Sequence, residues 1–152
     1  KSLAHTGVLP ITDERMTRFM ITLEEGVELV WHAFDDMQGG EVYVKKIPSM
    51  NILDVARAVD SKVKFKFIGI RPGEKLHEQM IGLEDAPYTY AYQYHYKILP
   101  MIHKWHTDPL RIKDGVKVAD NFVYSSDTNS EWMSVEGLSA WIQKNNSKIG
   151  VL

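Results

Sequence analysis

Two short segments hold residues whose types and spacing suit recognition chemistry. In DERMTRF (Asp13–Phe19), Arg15 and Arg18 stand three apart between two strand-like runs, with Thr17 beside them. A guanidinium offers a planar fork of donors that fits phosphate oxygens two at a time, so a pair on a constrained loop suits a diphosphate. The plainer alternative is that Asp13, Glu14, Arg15 and Arg18 form surface ion pairs, each worth about 0–1 kcal/mol. In IRPGEKLHE (Ile70–Glu78), Arg71 closes a strand, Pro72-Gly73 turns the chain, and Glu74 opens an expected short helix over 74–81. Arg71 can reach a phosphate there, and the acceptor-only carboxylate of Glu74 can take two hydrogen bonds from a ribose diol. Here too a structural alternative stands: Glu74 complements the helix N-terminus and Arg71 pairs with it.

Other side chains carry less. His103 and His106 lie three apart with His95 upstream, but no acidic partner is spaced to complete a zinc site, and no metal is expected. Tyr88, Tyr90, Tyr92, Tyr94 and Tyr96 alternate, which suits one face of a half-buried sheet better than a base-stacking platform. The sequence has no G-x-G-x-x-G, so no cofactor-binding residue is expected in this chain, and it has neither H-E-x-x-H nor G-x-S-x-G. No Tyr is followed four residues later by Lys, and no catalytic residue is assigned.

The elements that position these groups read as a mixed set. Val8–Thr12 and Arg18–Thr22 suit strands. Thr22 and Glu25 form a capping box ahead of a helix with Val27, Val30, Trp31 and Phe34 at helical spacing, stopped by Gly39-Gly40. Glu41–Lys45 alternates as a strand, Ile52–Val59 is an amphipathic helix, and Lys64–Ile70 is a strand with lysines on its wet face. Ser134 caps a last helix bearing Val135, Leu138, Trp141 and Ile142 on one side. Helices and strands interleave without a uniform βαβ rhythm, so the fold class is α/β of an irregular α+β kind, in one domain over 1–152. Lys1 to Gly7 reads as the frayed tail of a preceding element.

Composition bounds the function. With 152 residues, 44% hydrophobic and 25% charged, and a net charge of −2, the chain can build a core but lacks the basic excess that nucleic acid requires. It has no cysteine, which removes disulfides and thiolate chemistry and suits a cytoplasmic setting. No apolar run approaches the ~20 residues of a membrane helix, and no membrane partner is expected.

Four segments carry a resemblance. PITDERMTRFMITLEEGV (Pro10–Val27), GGEVYVKKIPSM (Gly39–Met50), IGIRPGEKLHEQMI (Ile68–Ile81) and YSSDTNSEW (Tyr124–Trp132) occur in this order in the inverting UDP-N-acetylglucosamine 4,6-dehydratases, and the chain resembles their carboxy-terminal portion. These are extended short-chain dehydrogenase/reductases of surface-polysaccharide and flagellin-glycan biosynthesis. The resemblance implies a bacterial lyase with an amino-terminal Rossmann half that holds NADP and the proton-moving residues, and a substrate portion that closes on the UDP-sugar. It implies that Thr17 and Arg18 approach the nucleotide and its phosphates, that Arg71 is the second phosphate arginine, and that Glu74 is the carboxylate at the ribose. Arg15 is a weaker member that buttresses the loop. The candidate partners are a UDP-sugar, the Rossmann half or a related subunit, and a second copy of the chain; the alternative is a non-catalytic nucleotide-sugar-binding or oligomerisation module.

Overall fold

A computed structural model describes residues 7–145; the expected frayed tail lies outside it except for Gly7. Within the span expected as one substrate-binding domain, two compact units form: Lys1–Met20, Pro48–Glu78 and Ser126–Leu152 make one, and Ile21–Ile47 with Gln79–Ser125 the other.

The first unit holds strand β1 (Val8–Ile11) parallel to β5 (Lys64–Phe67), and β2 (Thr17–Phe19) antiparallel to β4 (Ser49–Asn51). β4 runs straight into helix α2 (Ile52–Val59), because the Asn51 side chain accepts from the Leu53 amide at 2.8 Å and caps the first turn. Helix α4 (Val135–Lys144) is capped by Ser134, whose hydroxyl accepts from Gly137 N at 3.0 Å. α2 and α4 pack over a core of Met50, Ala58 and Leu138, ringed by Met20, Val55, Met133, Val135 and Ile142. The segment before α4 is laced to β4: Ser49 N donates to Glu131 O and Met133 N to Ser49 O, while Asn129 Nδ2 bonds the Ser49 hydroxyl at 3.0 Å.

In the second unit, α1 (Leu23–Asp36) starts at the Thr22–Glu25 capping box. A four-stranded antiparallel sheet runs in the order β3 (Val42–Lys45), β8 (His95–Ile98), β7 (Thr89–Ala91), β9 (Val116–Lys117). β6 (Gln79–Ile81) pairs with β10 (Tyr124–Ser125), and a short helix α3 (Pro109–Ile112) follows 3-10 turns over Ile102–Thr107. Buried charge is part of this unit's interior. Lys97 Nζ meets Asp36 Oδ2 at 2.7 Å, Tyr43 Oη donates to the same oxygen at 2.6 Å, and Lys113 bonds Oδ1. Arg111 is buried against Glu41, donates to Gly39 O at 3.0 Å, and lies over the Trp105 ring.

Expectations for the helix over 74–81 and for two strand ends change. The third helix over Glu74–Ile81 does not form: the chain is turn and irregular to Glu78, then strand β6. Its carbonyls are taken by distant donors, since Leu76 O accepts from Thr17 N and Lys75 O from the Arg18 side chain, which leaves them unable to serve an i→i+4 ladder. The strands expected over 18–22 and 64–70 stop at Phe19 and Phe67. His103 and His106 do not share a helical face, because His103 and Lys104 adopt φ of 51° and 58° and kink the segment. The tyrosines expected on one sheet face are divided: Tyr88 ends a 3-10 turn, Tyr90 and Tyr96 lie in β7 and β8, and Tyr92 and Tyr94 fall in the connection between them, with Tyr92 stacked on His95 and Tyr96 tilted against Phe122 and Tyr124.

Candidate functional site

The first unit brings Thr17, Arg18, Arg71 and Glu74 around one extended segment, residues 74–78. Upstream of it, Arg71 to Glu74 makes a turn closed by Glu74 N donating to Arg71 O at 3.0 Å. Pro72 presets the first corner, and Gly73 takes φ of 82° at the second, a conformation that a side chain would strain. The Glu74 carboxylate is held at this turn: Oε2 accepts from the Arg71 backbone amide at 3.3 Å and Oε1 from the Thr12 hydroxyl at 3.4 Å. The Arg71 guanidinium is exposed and has no hydrogen-bond or ion-pair partner among the described residues. The expected alternative of an Arg71–Glu74 side-chain pair at a helix start is therefore not what forms; the contact uses the Arg71 main chain.

Behind the turn, β2 fastens the segment. The Thr17 hydroxyl is 2.8 Å from His77 Nδ1 and 2.6 Å from the Ser126 hydroxyl, and Ser126 Oγ accepts from Glu78 N at 2.9 Å. Thr17 and Ser126 are buried. Arg18 spends its fork on carbonyls: Nη1 donates to Thr17 O at 2.7 Å and Leu76 O at 3.1 Å, Nη2 to Lys75 O at 3.0 Å, and Nε lies 3.6 Å from Glu78 Oε1. The side chain is still 26% exposed, so its edge remains reachable. Arg15 forks onto Asp13, with Nε to Oδ1 at 2.9 Å and Nη2 to Oδ2 at 2.8 Å. The hydrogen bonds from the Arg15 side chain and amide hold the Asp13 carboxyl down at about 2. This pair lies at the surface, as the plainer sequence alternative has it.

His77, Glu78 and Ser126 are absent from the expected site. Each lies inside a segment that carries the resemblance, but their meeting spans 60 and 109 residues of sequence, which local spacing does not reveal. In the second unit, a cleft of about 590 Å³ is lined by Glu25, His32, Lys45, Lys46, Tyr92 and Lys113, among others. His95 also lines it, 8% exposed, with Nε2 lacking a hydrogen-bond partner.

A dinucleotide does not fit the described residues. Its pyrophosphate needs a glycine-rich turn between a strand and a helix N-terminus. Here β2 enters α1 through Met20, Ile21 and Thr22, and the Gly73 turn leads to extended chain.

Comparison with known proteins defines the class. The chain belongs to the polysaccharide biosynthesis protein family, whose profile matches residues 1–100. Its mixed α/β fold matches a crystal structure of Pen from Bacillus thuringiensis with a TM-score of 0.78 at 23% identity, over 95% of this chain and 44% of that one. Among particular relatives, it is 48% identical over 136 residues to the inverting UDP-N-acetylglucosamine 4,6-dehydratase of Campylobacter jejuni serotype O:2, covering 86% of this chain. The enzyme of that name from the serotype O:23/36 strain is 47% identical over the same length. A UDP-glucose 4-epimerase of Rickettsia conorii is 40% identical over 82 residues, 51% of this chain and 24% of the relative. The chain spans about 40% of the length of the dehydratases it matches. No helix among the described residues is long and apolar enough to cross a membrane.

Proposed function

We propose that this chain is the UDP-sugar-binding portion of an inverting UDP-N-acetylglucosamine 4,6-dehydratase, without activity in isolation. One observation carries the reading: a single Pro-Gly turn presents an unpartnered guanidinium, Arg71, beside a carboxylate, Glu74, that the Arg71 amide and the Thr12 hydroxyl already orient. Arg71 forks onto the diphosphate, and Glu74 accepts from the ribose hydroxyls. Thr17 and Arg18 hold the segment from behind, and the exposed edge of Arg18 adds positive potential near the phosphates. Arg15, bound to Asp13, stiffens the loop that leads into β2.

NADP supplies the hydride chemistry of such enzymes, and this chain's residues take no part in holding it. The dinucleotide half is the proposed partner, on the same polypeptide or on a separate subunit. The β1–β5 pair supports this reading. Parallel strands are found with both faces covered, and a lone pair is marginal in water, yet Phe67, Ile68 and Ile70 stay exposed. A cytoplasmic setting accompanies the proposal, in keeping with the cysteine-free composition.

Calorimetric titration with UDP and with UDP-N-acetylglucosamine tests it. Similar affinity for both supports a nucleotide grip made by this chain; no binding at millimolar ligand refutes one. Adding the amino-terminal half of the Campylobacter relative with NADP should restore oxidation at C4 of the sugar. Binding without any restored oxidation would instead favour a nucleotide-sugar-binding or assembly module.

A further inference from the structure

The protonation of the His77 ring follows from the hydroxyls behind it. Ser126 is fully buried, and its Oγ has two neighbours: the Glu78 amide at 2.9 Å, which can only donate, and the Thr17 hydroxyl at 2.6 Å. The Ser126 proton therefore goes to Thr17 Oγ1, because the reverse direction would strand an unbonded O–H in the interior. Thr17 is buried too, and the acceptor left for its own proton is His77 Nδ1 at 2.8 Å. An uncharged imidazole that accepts at Nδ1 carries its proton on Nε2. His77 Nε2 has no hydrogen-bond partner among the described residues, and unlike His95 Nε2 it is open to solvent. The relay thus ends in one N–H donor of fixed tautomer, on a half-buried ring.

That donor stands on the segment to which the nucleotide grip is assigned. Arg71, Glu74 and His77 follow one another at every third residue, and three residues of extended chain reach about 10 Å. With the diphosphate given to Arg71 and the ribose to Glu74, the next group along the chain is in line for the base. An uncharged N–H suits the acceptor that remains on such a ligand, a carbonyl oxygen of uracil. The position is also fixed in advance. Leu76 O accepts from Thr17 N, Glu78 N is held by Ser126, and the ring between them is held by Thr17, so little freedom is lost on binding. Thr17 and Ser126 are themselves buried with their hydroxyls spent, which leaves His77 as the member of the cluster that can touch a ligand. We propose that His77 is the base-recognising donor of this site, giving its Nε2–H to a uracil carbonyl, and that Thr17 and Ser126 are positioning residues that set its tautomer. The inference rests on the nucleotide reading above and extends it from the diphosphate and ribose to the base.

The test joins nitrogen-15 NMR of the histidine rings to calorimetry on the whole chain. The His77 ring, assigned by its loss in His77→Ala, should show an unprotonated Nδ1 and a protonated Nε2, and the Nε2–H signal should shift on adding UDP. Thr17→Ser keeps the hydroxyl and should keep both the tautomer and the UDP affinity; Thr17→Val should release the ring into a mixture of tautomers. His77→Ala should weaken UDP binding about fivefold to tenfold. Inorganic pyrophosphate, measured by its displacement of UDP, should bind wild type and His77→Ala equally, since it has no base. An Nδ1–H tautomer in the wild type, undiminished UDP affinity in a folded His77→Ala, or an equal loss of UDP and pyrophosphate affinity would each overturn the assignment of His77 and leave the grip of Arg71 and Glu74 standing. The tautomer and Thr17→Ser measurements do not need His77→Ala to fold. A wild type that binds no UDP at millimolar ligand would instead sink the nucleotide reading, and the base contact with it.

Discussion

Acidification should weaken the second unit through His95. Its ring is stacked on Tyr92 at 4.6 Å and meets His32 edge-on at 4.7 Å. Burial lowers its pKa from the usual 6.5 to about 4, aided by the nearby His32, Lys97 and Lys46 and opposed only by Asp36. The folded pKa lies below the unfolded one, so the unfolded chain takes up the proton first. His95 therefore contributes full stability above about pH 7 and loses it as pH falls through 6.5 toward 4. At 1.36 kcal/mol per decade of proton affinity, the loss is about 2 kcal/mol by pH 5 and about 3 kcal/mol by pH 4. Urea unfolding of the whole chain at pH 7, 6 and 5, compared with His95→Gln, isolates the effect, since the other histidines titrate in both proteins. The variant should have the shallower slope. Proton NMR of the His95 ring gives a readout that does not depend on how many steps unfolding takes. A ring that titrates near 6.5, or parallel pH slopes for the two proteins, would refute the reasoning.

Other substitutions separate binding from stability. Arg71→Ala should weaken UDP affinity by about tenfold or more with little change in Tm, because its guanidinium has no partner to lose; Glu74→Gln should act similarly through the ribose. Equal loss of stability in both, followed by thermal unfolding, would return these residues to a structural role. Thr17→Val leaves the Ser126 hydroxyl and the His77 ring without their shared partner, and should cost about 1–3 kcal/mol in urea titrations. Asp36→Asn strands the buried Lys97 ammonium and should cost about 3–5 kcal/mol, most visibly at neutral pH. Burial pushes the Asp36 carboxyl up, but hydrogen bonds from Lys113, Lys97 and Tyr43 outweigh it and hold the carboxyl well below its usual range. The stabilisation is therefore complete above pH ~4 and is lost below it, so the wild type and Asp36→Asn should converge in strong acid.

What the sequence discloses follows the range of the forces involved. α2 is legible to the residue, because Asn51 caps it and Ile52, Val55, Ala56 and Val59 recur at helical spacing within eight positions. The Thr22–Glu25 capping box likewise announces α1. Spacing does not tell which side of that helix faces inward: the apolar stripe faces out, while Asp36 on the other side holds Lys97, 61 residues away. Periodicity reports only that a stripe exists. The segment after Gly73 fails for a related reason. EKLHEQMI (Glu74–Ile81) has helix-compatible composition and no breaker, so local propensity favours a helix there. Thr17 N and Arg18 claim the carbonyls of Lys75 and Leu76 from nearly sixty residues upstream. Those bonds stretch the chain past β2, so that the turn before it stands free at its far end. Had the local preference prevailed, Glu74 would be spent on a helix N-terminus. Instead its carboxylate is oriented by the Arg71 amide and the Thr12 hydroxyl, with the Arg71 guanidinium left open beside it. The departure from propensity thus falls at the turn to which a binding role is assigned, which is where local and tertiary preferences are expected to part.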